Sequence, residues 1–255
     1  MKTLRFMTLL ALVAALVAAS TACTFSAKKG GSTGISQRVE LADVSLDSTP
    51  AERAEALRIL GEMTDLAATD RGVVAAAPFQ WSALATITWP INHRFSPDPS
   101  DLNSYYQRLD LARQAEQMKQ QVKTLFAHRS SRPETDILGG LLAASELFAS
   151  QPPGPRTLVL SSNMWAYSPS DGLNLKKQAL SRAQIARLVA KLDRAGKIAH
   201  LSGVCVYVVG AGLDPGRKIP NSIQLSMRTF WQAYFARSGA LLRSWTPTLD
   251  AEPSC

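Results

Sequence analysis

Short, wholly apolar runs alternate along this chain with longer stretches of helical period, and this alternation narrows the possible folds more than any other feature. Residues 157–160 (TLVL) and 203–209 (GVCVYVV) are apolar at successive positions, so a strand there leaves neither face for water. Residues 39–44, 72–81, 84–91 and 240–245 are further strand candidates, and Pro78 marks the second of these as bent or at an edge. The helical stretches are equally readable. After the start signal Ser48-Thr49-Pro50, residues 50–67 carry Ala54, Leu57, Leu60, Met63 and Leu66 at helical spacing. Residues 101–126 place Leu102, Tyr105, Leu109, Ala112, Met118, Val122 and Leu125 on one side of a long helix. Helices are also expected over residues 137–149, 176–195 and 222–238. Strands buried on both faces and separated by helices predict an α/β fold with a mostly parallel central sheet and helices on both faces. The Pro-rich stretch 246–255 is expected to be a mobile tail.

The first 22 residues have another character. Lys2 and Arg5 precede an almost unbroken Leu/Ala/Val run over residues 4–19, and Ser20-Thr21-Ala22 supplies small residues before Cys23. A cationic start, a short apolar core and a small-residue exit are the pattern of a secretory signal peptide. Ser20 and Ala22 suit an ordinary signal peptidase cutting before Cys23. The same stretch resembles a bacterial lipobox, with Ser20 where Leu is usual, and that resemblance implies a lipid on Cys23. Residues 23–37 then form a Gly/Ser/Lys-containing tether (AKKGGSTG within it), and the domain proper spans 38–245. The expected location is outside the inner leaflet, lipid-anchored to the cell membrane or outer membrane and facing periplasm or exterior.

Loss of Lys2 and Arg5 lowers the formal charge from +8 to +6, and the remaining surplus is scattered over helix faces. No basic stripe interleaved with aromatics is present, which excludes a nucleic-acid surface. Cys205 sits in an apolar run and Cys255 ends the chain. Their positions alone give no reason to pair them, and Cys205 reads as a small buried hydrophobe. His93, His128 and His200 lack metal-ligand spacing, and neither His-Glu-x-x-His nor Gly-x-Ser-x-Gly occurs. Gly210-Ala211-Gly212 reads as a turn after a strand, and His128, Arg129 and Arg132 as a solvated loop. The chain is therefore not expected to be an enzyme, and an envelope hydrolase is the remotest of three functional readings.

In open α/β sheets, ligands bind beyond the carboxyl ends of the strands. Asp43-Val44-Ser45-Leu46-Asp47-Ser48 ends the first strand, Glu134-Thr135-Asp136 precedes a helix, and Ser161-Ser162-Asn163 ends the TLVL strand. Singly, each is an ordinary cap or turn. Together they resemble the von Willebrand factor type A (vWA) domain, whose metal-ion-dependent adhesion site joins an Asp-x-Ser-x-Ser motif, a mid-chain Thr and an Asp after the fourth strand. Asp43 and Ser45 match the first positions, Asp47 replaces the second Ser, Thr135 matches the Thr, and Asn163 stands for the last Asp.

The resemblance implies a Rossmann-type vWA-like domain with a degenerate site for Mg²⁺ (or Mn²⁺ or Ca²⁺) formed by Asp43, Ser45, Asp47, Thr135 and Asn163. It further implies an envelope protein partner that supplies an acidic residue to the ion, with the membrane reached through the lipid. The alternative is a metal-independent assembly component of the same fold, using its helices. The aromatics of Phe230-Trp231-Gln232-Ala233-Tyr234-Phe235 are candidates for that surface, although most are expected in the core.

Overall fold

The computed structural model describes residues 34–45, 48–79, 89–127, 135–168, 171–214 and 218–255. The leader, Cys23, the tether up to residue 33, Asp47, residues 84–88 and the loop 128–134 lie outside the described residues. In chain order the elements begin with β1 (Gln37–Asp43), α1 (Pro50–Asp70), β2 (Val73–Phe79), β3 (Ile91–Arg94), α2 (Ser104–Ala127) and α3 (Ile137–Ser150). They continue with β4 (Arg156–Ser161), the small strands β5 (Tyr167–Ser168) and β6 (Leu173–Asn174), α4 (Arg182–Arg194), β7 (Val204–Val209), α5 (Asn221–Ser238) and β8 (Leu241–Thr246).

β1 is buried along its whole length because it lies inside a six-stranded sheet of order β3-β2-β1-β4-β7-β8. All neighbours pair in parallel except β3, which runs against β2 at one edge. With the separate β5–β6 hairpin set aside, this is the doubly wound order 3-2-1-4-5-6. Alternate residues feed two cores. Val39, Leu41, Ala75, Leu158 and Val206 face α3, α4 and α5, while Ala42, Val74, Ala76, Val159 and Val209 face α1 and α2. Pro78 is accommodated because β3 pairs only with residues 73–76, so among the described residues β2 is flanked on one side alone at that point.

The helix starts follow local chemistry. Thr49 caps α1, accepting from the Glu52 amide at 3.1 Å while Glu52 accepts from the Thr49 amide at 2.6 Å, with Pro50 in the first turn. Ser181 and Gln184 do the same for α4. Asp136 caps α3 by accepting from the Gly139 amide at 2.8 Å. That helix packs so closely on the sheet that a Cβ at Gly140 would lie 2.4 Å from the Phe79 ring. Gly140→Ala is expected to destabilise the fold by about 1–3 kcal/mol, because helix and sheet must separate. A lower urea midpoint with an unchanged slope checks this.

Several expectations need correction. The buried stripe of α2 is Leu111, Ala115, Met118, Val122 and Phe126, so Leu102, Tyr105 and Leu109 are exposed instead. Of the strand expected over residues 84–91, residues 84–88 lie outside the described residues, and residues 89 and 90 are not in a strand, so β3 begins at Ile91. Phe230, Trp231, Tyr234 and Phe235, most of them expected in the core, are all core residues packed mainly edge to face, which removes them as a docking surface. Cys205 and Cys255 form a disulfide, with Cα atoms 5.4 Å apart.

That bridge is one of several fasteners on the tail expected to be mobile. The Tyr207 hydroxyl donates to the Ser254 carbonyl at 2.6 Å. Buried Leu249 donates its amide to Glu55 Oε1 at 3.0 Å and accepts from Arg58 at 2.8 Å. Cys205, Tyr207 and Val209 alternate onto the sheet face shared with α1, and the tail returns along this face. A contact 50 residues away in sequence has no local signature, which is why spacing did not reveal it.

Candidate functional site

Three pieces of chain meet at the carboxyl pole of the sheet. β1 ends at Asp43, the loop after β4 begins at Ser162, and Thr135 lies just ahead of α3. Asp43 is nearly buried and gathers the others around its carboxylate. Oδ1 accepts from the Ser45 amide at 2.8 Å and from the Thr135 hydroxyl at 3.2 Å. Oδ2 accepts from the Ser162 hydroxyl at 3.5 Å, the outer limit for such a bond. Ser45 is itself buried, and its carbonyl accepts both the amide and the hydroxyl of Ser48.

The structure thus brings Asp43, Ser45 and Thr135 together. Asn163 lies beside them, but its amide oxygen accepts from the Trp165 amide at 3.1 Å, and its carbonyl accepts from Gly212 at 2.9 Å. The side chain that reaches Asp43 from this strand is Ser162, one residue earlier. Register explains the difference. Gln37 lies opposite Arg156, so six residues further on Asp43 falls opposite Ser162.

The loop after β4 is held from several sides. Met164 takes φ 63°, a costly conformation for a side-chain-bearing residue. Its amide donates to Ser162 Oγ at 3.1 Å, and its carbonyl accepts from the Trp231 indole at 2.9 Å. The buried aromatic helix α5 therefore fixes the backbone that presents Ser162 and Asn163.

One further acid lies beneath the pole. Glu40, on the α1 side of β1, is fully buried. Its Oε1 accepts from the Ser161 hydroxyl at 2.6 Å, while Oε2 has no partner among the described residues. Burial pushes its carboxyl up to about 8, against the smaller lowering effect of the Ser161 bond, so the group is neutral in the fold at neutral pH.

The donors at the pole suit a divalent cation by type. Carboxylate and hydroxyl oxygens are hard ligands of the kind Mg²⁺ takes alongside retained waters. They provide little charge, since Asp43 is the one carboxylate among the described residues that these hydroxyls and amides surround. No cluster of three or more His, Cys, Asp or Glu residues with metal-binding geometry occurs among the described residues.

No protein-family model matches the chain, and no curated protein sequence matches it. Among solved structures it aligns with the pilus adhesin SpaC from Lactobacillus rhamnosus GG in its open conformation, at 11% identity and a TM-score of 0.42. That alignment covers 78% of this chain but only 26% of the adhesin, so the chain spans about a quarter of the adhesin's length. It also aligns with the SpRpn10 VWA domain at 9% identity and a TM-score of 0.38, over 84% of this chain and 89% of that one. A third match is the conserved hypothetical protein BatB from Bacteroides thetaiotaomicron, at 14% identity and a TM-score of 0.36, over 84% and 91% of the two chains. The doubly wound sheet with its antiparallel edge strand, the helices on both faces and the meeting of Asp43, Ser45 and Thr135 at the carboxyl pole give this chain a vWA-like fold.

Proposed function

We propose that the chain is an exported, lipid-anchored binding module that engages an envelope protein through the carboxyl pole of its sheet. One observation carries this reading: Asp43, Ser45, Thr135 and Ser162 converge where β1 meets β4, the point at which the strand order reverses. Doubly wound sheets leave a crevice there, and ligands bind in it. A divalent ion held by these oxygens would supply a positive centre for a carboxylate from the partner. The chain's own contribution is to orient Asp43 through Ser45 and Thr135 and to hold Ser162 rigidly through Met164 and Trp231. No catalytic step belongs to this reading.

Several features support export. The leader has the pattern of a signal peptide, and the Cys205–Cys255 disulfide suits an oxidising compartment. The lipid on Cys23 is tested by the mass of the mature amino terminus. A diacylated or triacylated Cys23 is expected, and an unmodified Cys23 would leave a secreted domain.

A second reading keeps the fold and the docking pole but omits the ion. It is favoured by the hydrogen bonds that already satisfy Asp43 and by the turn that occupies the Asn163 amide. Capture of partners from solubilised membranes separates the two. With an ion, capture requires Mg²⁺, is abolished by chelation and is lost in Asp43→Ala. Capture that withstands chelation but still fails in Asp43→Ala establishes the second reading, and capture indifferent to both removes this pole from the interaction.

A further inference from the structure

We propose that the opposite, amino pole of the sheet docks on the bilayer surface, through Leu102, Tyr105, Tyr106 and Leu109 with Arg71 and Arg108 beside them. The proposal rests on the export and anchoring reading above and adds an orientation to it. Among the described residues these four side chains are the densest group of exposed large hydrophobics. Leu102 is 95% exposed, the two tyrosines 55% and Leu109 50%, all in or just before the first turns of α2. A contiguous apolar patch on a soluble face marks an interaction site.

The patch lies where the chain arrives from its leader. β3 runs against β2 and places Arg94 opposite Val73, and the next amide, of Phe95, donates to Gly72 at 2.9 Å. Arg71 then reaches Gln107 of α2 at 3.0 Å, which fixes the start of α2 at the amino pole. The described chain begins at this pole too, with the Ile35 amide donating to Pro153 at 3.2 Å ahead of Gln37. Between Cys23 and Gly34 the chain has ten residues, a reach of at most about 40 Å over the eleven steps. A lipid on Cys23 therefore keeps this pole near the bilayer, but a Gly/Ser tether does not set how the domain faces. A patch of two tyrosines and two leucines does.

The chemistry fits that occupant. Tyrosines settle at headgroup level, and leucines reach the acyl boundary. Beside the patch, a cavity of about 560 Å³ opens between α1 and α2, with Arg71 and Arg108 on its walls. Its two acids, Asp65 and Glu116, are both held by Lys119, at 2.6 and 3.0 Å. Neither arginine has an ion pair among the described residues, so two guanidinium groups face the cavity available to an anionic headgroup phosphate. Asp98 and Asp101 on the preceding loop offset part of this attraction, so the apolar side chains carry most of the contact. Docked this way, the domain turns Asp43 and its neighbours away from the membrane, toward a partner.

The test is tyrosine acetylation of the mature full-length protein, with phosphatidylethanolamine–phosphatidylglycerol vesicles and without them. Tyr167, 46% exposed beyond the carboxyl end of β4, is the internal control. Tyr105 and Tyr106 are expected to react about tenfold more slowly on vesicles, with Tyr167 unchanged, and the double variant Leu102→Ser, Leu109→Ser to regain the free rate. Equal rates with and without vesicles would overturn the proposal. So would slowing that grows with protein concentration in the absence of lipid, which assigns the patch to a second copy. An unmodified Cys23 together with slowed labelling would remove the anchor and leave the docking patch standing.

Discussion

Cys255→Ser is expected to lower the stability of the folded chain by about 4 kcal/mol, the chain-entropy value for a cross-link between residues about 50 apart. For a chain of this size that is a fall of roughly 8–16 °C in Tm. The loss should also have a place. Buried Leu249, the Glu55 and Arg58 bonds to it, and the Tyr207–Ser254 bond all belong to the segment that the disulfide pins. Hydrogen exchange is expected to quicken at Leu249 and Ser254 first, while β1 and β4 stay protected until global unfolding. A dithiol acting on the unmodified protein should reproduce the variant. A melting temperature unmoved by either would show that the tail holds without its covalent link.

Glu40→Gln is expected to change how stability depends on pH. In the unfolded chain the carboxyl ionises in its ordinary range, near 4.5, whereas burial holds it neutral in the fold up to about 8. Between those values the folded state binds the extra proton, so stability falls as pH rises, by about 1.4 kcal/mol per pH unit, and levels off above about 8. Glutamine keeps an oxygen to accept from Ser161 and never ionises, so this decline disappears. Its buried amide adds a constant cost of about 1–3 kcal/mol, which makes the slope the readout rather than any single value. Urea midpoints from pH 5 to pH 9 are expected to converge on, then cross, those of the unmodified protein. Parallel pH profiles for the two would mean that Glu40 is already charged in the fold.

Much of the fold was legible in the sequence because its signals are local. The apolar runs 157–160 and 203–209 became interior strands β4 and β7, and Ser48-Thr49-Pro50 became a capping box. What failed was information carried by distant parts of the chain. The apolar residues from Leu102 to Leu125 share one side of the helical pattern, but α1 covers only the stripe from Leu111 onward, and the start of α2 extends past that cover. The disulfide closes a separation of 50 residues. At the site, Asp43, Ser45 and Thr135 were visible as motif positions, because each lies at or within two residues of the end of a regular element. Ser162 was obscured because strand register decides which of Ser161, Ser162 and Asn163 faces Asp43, and register requires both strands. Glu40 left no trace either, since one Glu in an apolar strand looks like any edge residue until the sheet closes over it.

The docking pole at Asp43 is tested most directly by titrating Mg²⁺ into the isotope-labelled full-length protein and following each backbone amide by NMR. The expected result is a weak, saturable change confined to Asp43, Ser45, Thr135, Gly139 and Ser162, and absent from Asp43→Ala. Changes scattered over the surface, or the same changes in Asp43→Ala, would contradict an ion-assisted site at the carboxyl pole of this sheet.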